Sequence, residues 1–285
     1  MKRLMATLLA CTALAAQAQT LSNPESVEFH PRSGRLMISN TSGGGSILAR
    51  DGAGTLSVFT NDPGSPYGIE LLGGVLYVLD SGFLRGYDID SAVRVVNLQI
   101  ANASFLNGIT SDGVSKLYIS DFSSTPKKIV QVDVSDIAAP VQSVLTNVTA
   151  TPNGLVYDRA GQRLLIATWS AARVLSYDLV AGGAPTELIT VSGYTNIDGI
   201  ALDCNGSLHI AAWSCPGGGG CLRRFDPPFT LTSTPVTEGG ALTAPADIDF
   251  GARSGQIAIP ESSANRVTLV QTSCPASLFA DGFER

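Results

Sequence analysis

The chain has 285 residues, 44% hydrophobic, with 18 basic and 24 acidic side chains and a net charge of −6. An acidic chain without clustered Lys and Arg excludes a nucleic-acid footprint. Its length is enough to bury a core without cross-links.

The first eighteen residues read as an export leader. Lys2 and Arg3 precede the apolar run "LMATLLACTALAA", and Ala16-Gln17-Ala18 offers a small-residue cleavage site. An alternative is a lipoprotein leader ending at Cys11. The run is too short to span a bilayer, and no second apolar run of that length follows, so no membrane span is expected. Removing the leader leaves 16 basic against 24 acidic residues, a net charge of −8. An exported protein, periplasmic or secreted, is expected.

From residue 19 onward the chain repeats itself. Six stretches share one cadence: "PESVEFHPRSGRLMISN", "PYGIELLGGVLYVLD", "LNGITSDGVSKLYISD", "PNGLVYDRAGQRLLIAT", "IDGIALDCNGSLHIAA" and "PADIDFGARSGQIAIPE". Each gives a small turn, an apolar strand, a Gly or Asp turn and a second apolar strand. A third strand follows, such as "LRGYDID" or "RVLSYDL", and in most units a fourth, such as "RVVNLQI". β-branched and aromatic residues fill the strands, and Gly, Asp, Asn and Pro punctuate them. Four strands per unit of roughly 40–50 residues is the grammar of a propeller blade. The expected fold is all-β, a six-bladed β-propeller over residues 19–273, followed by a tail, 274–285. The last unit shows three clear strands; a fourth is sought near Leu21 or in "SLFADGF".

In a propeller the first strand of each blade lines the central channel. The residue where that strand begins points toward the axis at one mouth. Those mouth positions are Glu25, Tyr67, Asn107, Asn153, Asp198 and Ala246. Four of the six carry a carboxylate or amide oxygen, and a turn does not require them. Oxygen donors converging on an axis suit a hard divalent cation: Ca2+ first, with Mg2+, Zn2+ or Mn2+ as alternatives. For any one of these residues, Asn and Asp also favour turns.

On these residues the sequence resembles the SMP-30/gluconolactonase/luciferin-regenerating enzyme family of six-bladed propellers. The resemblance implies a metal held by Glu25 in "NPESVEF", Asn153 in "TPNGLVYD" and Asp198 in "IDGIALD". It further implies that Asp198 is the general base and that Asn107 in "FLNGIT" lies beside metal and substrate. Where lactonases of the family place an Arg, this chain has Phe105. Asp121 is the nearest residue to the family's acidic substrate partner, and Tyr67 lines the same mouth. The blade cadence also resembles NHL repeats. Two functions follow as expectations. One is an exported metal-dependent hydrolase of lactones or related esters, with a small-molecule substrate in the central channel. The other is a non-catalytic binding propeller with a structural metal or none.

Four cysteines lie beyond the leader. Cys215 and Cys221 flank "PGGGG" and are expected to pair within that loop. Cys204 follows the first strand of blade five and Cys274 the third strand of blade six. Those ends fall on one face of neighbouring blades, so they can pair. Of the two histidines, His30 belongs at the opposite mouth and His209 inside a strand, which leaves no place for a Ser-His-Asp triad. Trp169 and Trp213 follow second strands, with Phe122 at the matching place in blade three. They either pack between blades or form an apolar collar around a ligand.

Overall fold

The computed structural model describes residues 19–276 except 171, 192, 232 and 234. The leader reading, and the tail segment proposed as a fourth strand, lie outside these residues.

The described chain is almost wholly β and forms six antiparallel sheets in sequence order. Blade one holds β1 (Pro24–Phe29), β2 (Leu36–Asn40), β3 (Ser46–Arg50) and β4 (Leu56–Thr60). Blade two holds β5 (Pro66–Leu72), β6 (Val75–Asp80), β7 (Phe83–Asp88) and β8 (Arg94–Gln99). Blade three holds β9 (Leu106–Ser111), β10 (Lys116–Asp121), β11 (Lys128–Asp133) and β12 (Val141–Asn147). Blade four holds β13 (Pro152–Asp158), β14 (Arg163–Thr168), β15 (Arg173–Asp178) and β16 (Thr186–Thr190). Blade five holds β17 (Thr195–Leu202), β18 (Leu208–Ser214), β19 (Gly220–Phe225) and β20 (Val236–Leu242). Blade six has three described strands, β21 (Asp249–Gly251), β22 (Gln256–Glu261) and β23 (Arg266–Gln271). The segment around Leu21 forms no strand; Leu21 packs against the apolar residues between blades six and one.

Six hydrophobic clusters fill the six seams between neighbouring blades. Strand alternation explains how one sheet serves two seams. In β6, Leu76 and Val78 face blade one, while Tyr77 and Leu79 face blade three. In β14, Leu164 and Ile166 face blade three, while Leu165 and Ala167 face blade five. Such strands are apolar at every position because both faces are covered. The outer strands have one side in water, so β8 and β12 are largely exposed.

The seam that closes the ring is the leanest. Val27, Leu36, Ile38 and Ala258 are its fully buried residues. Polar bonds reinforce it: Asp247 N–H to Glu25 O at 2.8 Å, Phe29 N–H to Asp249 Oδ2 at 2.8 Å, and Asn23 N–H to Asn265 Oδ1 at 2.7 Å. Both expected disulfides are present. Cys204–Cys274 ties blade five to the end of blade six with Cα atoms 6.0 Å apart, and Cys215–Cys221 closes the β18–β19 loop.

Candidate functional site

Successive first strands pack against one another around the axis, from β1 through β21 and back to β1. Their register is level because glycines allow close approach. A Cβ on Gly68, Gly108 or Gly154 would strike the backbone carbonyl of Asn107, Asn153 or Asp198 in the next blade. The same chain of contacts ends at Gly199, which lies against Ala246 and Asp247. The six mouth residues therefore stand at one height. In blades one and six the glycine is replaced by Ser26 and Asp247, whose side chains join at 3.0 Å.

Glu25, Asn107, Asn153 and Asp198 are all buried. Asn153 Nδ2 donates to Asp198 Oδ1 at 2.9 Å, and Trp213 Nε1 donates to Asp198 Oδ2 at 2.8 Å. Three oxygens of the group, Glu25 Oε2, Asn107 Oδ1 and Asn153 Oδ1, are buried with no hydrogen-bond partner. An orphaned buried acceptor costs about 1–3 kcal/mol, and three at one mouth make a site short of positive charge. Burial pushes the Glu25 carboxyl well above its usual range, and the charges of Asp198 and Asp247 push it further. Burial likewise pushes Asp198 up to about 7, against the two donors that hold it down. Asp247, unnoticed in the sequence, is raised by burial and then by Asp198, with the Ser26 hydrogen bond opposing.

This donor set fits a hard cation: two carboxylates and two amide oxygens, three of the oxygens unpartnered. Among the described residues no three His, Cys, Asp or Glu side chains gather closely enough to hold a metal without the Asn oxygens.

Asp121 does not join this group. It is fully buried, accepts from the Ser104 and Phe105 N–H groups at 3.0–3.2 Å, and lies 3.5 Å from Lys128 Nζ. Asp80 and Glu261 repeat the device in blades two and six, each with an Arg partner. An acid ending the second strand thus clamps the turn into the first, and Asp121 stands in this role, apart from the mouth group. Ala246 contributes no side-chain donor. Tyr67 stands at its mouth position; burial raises its phenol, and the Glu25 charge adds to the shift.

Below the mouth each first strand carries a bulge. Pro24 pairs with Asn40, but Val27 pairs with Ile38, so one residue is extra; blades two to five repeat this. The bulge resets the alternation. The residue three beyond the mouth then lines the channel again: Glu28, Glu70, Thr110, Val156, Ala201 and Asp249 surround a cavity of ≈ 110 Å³. Glu28, Glu70 and Asp249 are a second acidic group. Burial raises Glu28 well above its usual range, Glu70 to about 8 and Asp249 to about 6. Each is half-buried and lines the narrow channel.

The histidines stand where the sequence puts them. His30 borders a ≈ 210 Å³ cavity with Glu28, Asp249 and Arg253, away from the mouth group, and its Nδ1 accepts from Arg32 and Ser33 N–H. His209 is enclosed between Asp203 Oδ2 at 3.1 Å and Glu238 Oε2 at 2.7 Å. Among the described residues no helix is long and apolar enough to cross a membrane.

Residues 123–237 match the SMP-30/gluconolactonase/LRE-like region. This bears out the resemblance read from the mouth residues. The matched segment carries Asn153 and Asp198; Glu25 and Asn107 lie outside it. No curated protein sequence matches the chain. Among solved structures, it is similar to a Xanthomonas campestris gluconolactonase, with 13% identity, TM-score 0.70, and coverage of 88% of this chain and 86% of that one. It is similar to the calcium-binding protein regucalcin of Agrobacterium tumefaciens, with 14% identity, TM-score 0.68, and coverage of 90% and 91%. It is also similar to the Cps50 (Swd1) β-propeller domain of Myceliophteria thermophila, with 11% identity, TM-score 0.62, and coverage of 90% and 99%. At such identities the likeness shows the propeller fold, which hosts unrelated functions.

Proposed function

We propose that this propeller is an exported, metal-dependent hydrolase of lactones or related esters. The observation that carries the reading is the set of three buried, unpartnered oxygens on Glu25, Asn107 and Asn153 beside Asp198. Glu25, Asn153 and Asp198 would hold the cation, Ca2+ first, with Asn107 close to cation and substrate. When bound, the ion supplies Lewis acidity toward a carbonyl oxygen and lowers the pKa of water beside it.

The chain's own residues do the rest. Asp198, kept as a carboxylate by the Trp213 and Asn153 donors and by the cation it would help to hold, accepts a proton from water. The water oxygen adds to the acyl carbon, the acyl C–O bond breaks, and Asp198 returns the proton it took to the released oxygen. Asn153 holds Asp198 in orientation through its Nδ2 donor. Two disulfides favour an oxidising compartment and so support export.

The test is metal analysis of the purified protein, followed by melting curves and a lactone and ester panel with and without chelator. The expected result is bound divalent metal, a melting temperature that falls on chelation, and chelator-sensitive hydrolysis. If chelation changes neither melting temperature nor activity, the hydrolase reading is wrong and a non-catalytic binding propeller replaces it.

A further inference from the structure

Five aromatic side chains form a continuous arc around the mouth that holds Glu25 and Asp198. Tyr67 meets Phe105 with ring centroids 4.7 Å apart, Phe105 meets Phe122 at 5.5 Å, Phe122 meets Trp169 at 5.9 Å, and Trp169 meets Trp213 at 5.1 Å. All four contacts are edge-to-face, a favourable aromatic geometry. The arc crosses blades two to five. Both ends reach the acidic group: Trp213 bonds to Asp198, and the Tyr67 phenol lies within the field of Glu25.

None of the five rings belongs to the six seam clusters. Four are half-buried and Trp213 is 38% exposed. Seam packing therefore does not account for them, and rings left at a channel mouth present apolar surface to a ligand. The three Arg–ring contacts among the described residues involve Phe83, Phe229 and Tyr194, none of them in the arc. Lys128, whose neighbour Asp121 accepts from the Phe105 N–H, is spent on the Asn102 carbonyl and Asp121.

We infer that the arc is the substrate wall, and that the substrate is a lactone or ester with an apolar or aromatic body rather than a polyhydroxylated sugar lactone. The inference rests on the hydrolase reading for the word substrate, and on the arc alone for the ligand class. A sugar ring laid against five rings would lose water from its hydroxyls without regaining hydrogen bonds, whereas an aryl or alkyl body loses little.

The arc has a built-in reporter, since Trp169 and Trp213 are the only 2 tryptophans of the chain. The experiment titrates Ca2+-loaded full-length protein with a benzo-fused δ-lactam, which resists hydrolysis, and with the lactam of gluconic acid, following tryptophan fluorescence. Hydrolysis of the two corresponding lactones is measured in parallel. A saturable fluorescence change with the benzo-fused lactam is expected, with little or none from the sugar lactam. Phe122→Ala should weaken benzo-lactam binding about tenfold while leaving the melting temperature near that of the parent. Trp169→Leu, read through Trp213, should do the same and covers a failure of the first variant to fold. Sugar-lactam binding equal to or tighter than the benzo-fused one overturns the inference, as does unchanged affinity in both variants. Lactam binding without hydrolysis of any lactone retains the arc and removes the hydrolase reading. Hydrolysis of the sugar lactone without benzo-lactam binding does the reverse.

Discussion

The indole Nε1 of Trp213 donates a 2.8 Å hydrogen bond to Oδ2 of Asp198, so the aromatic wall and the acidic group are one device. The bond stabilises the carboxylate and opposes the burial that raises Asp198 to about 7. Trp213→Phe removes it, and the Asp198 pKa rises further. A larger protonated fraction then competes with metal at neutral pH. Calcium titrations of Trp213→Phe should show affinity reduced several-fold at pH 7 and largely recovered near pH 9. Equal loss at both pH values would assign the bond a purely structural role.

Glu25 sits beside Asp198 and Asp247 with a raised carboxyl. Ca2+ at a hundredfold excess over its Kd should stabilise the protein by about 2.7 kcal/mol, a rise of about 5–10 °C in Tm for a chain of this size. Glu25→Gln should lose most of that rise. In chelator at pH 8 the same variant should melt above the parent, because one of several crowded negative charges is gone. A parent-like Ca2+ response in Glu25→Gln would remove Glu25 from the metal set.

Asn107 has an unpartnered oxygen at the mouth but makes no bond to Asp198. Asn107→Ala should therefore reduce turnover more than metal affinity, whereas Asp198→Ala should abolish hydrolysis and weaken metal binding while the seams keep the fold. Kinetics paired with calcium titrations read the difference.

Glu28, Glu70 and Asp249 give the apo protein an acid-favoured stability. Their folded pKa values are raised, to about 8 for Glu70 and about 6 for Asp249, chiefly by burial. The folded state then binds more protons than the unfolded chain between the ordinary carboxylate range and pH 8. Stability is fully present below about pH 4 for these groups and declines as pH rises through 6 to 8. Melting curves in chelator should fall by several degrees from pH 5 to pH 8, and Glu70→Gln should flatten the decline.

The Cys204–Cys274 bridge spans 70 residues of sequence and Cys215–Cys221 spans 6. On loop-closure entropy the first contributes about 4 kcal/mol and the second about 2. Cys274→Ser should lower Tm more than Cys221→Ser. The reverse order would mean that native-state contacts, not chain closure, set the benefit.

Blade count, both cysteine pairs and the level of the mouth residues are legible in the order of residues alone. Strand alternation, turn glycines and the six-fold cadence are local, and a ring is the one way six such sheets bury both faces. Tertiary structure alone decided the rest. Glu28, Glu70 and Asp249 were visible three places beyond the mouth in the aligned repeats. Only the bulge between Pro24 and Val27, and its counterparts, turns that position back to the channel. The sequence offers Asp121 only as the nearest acid to the family's substrate partner; that its oxygens accept from the Ser104 and Phe105 amides depends on how the turn into the first strand folds back. The sequence left Trp169, Trp213 and Phe122 between seam packing and a collar; the packing of consecutive blades decides it, by joining them edge to face with one another and, through Phe105, with Tyr67. A periodic pattern fixes which side of a strand a residue occupies, but which residues from different blades meet depends on how the strands curve around a common axis.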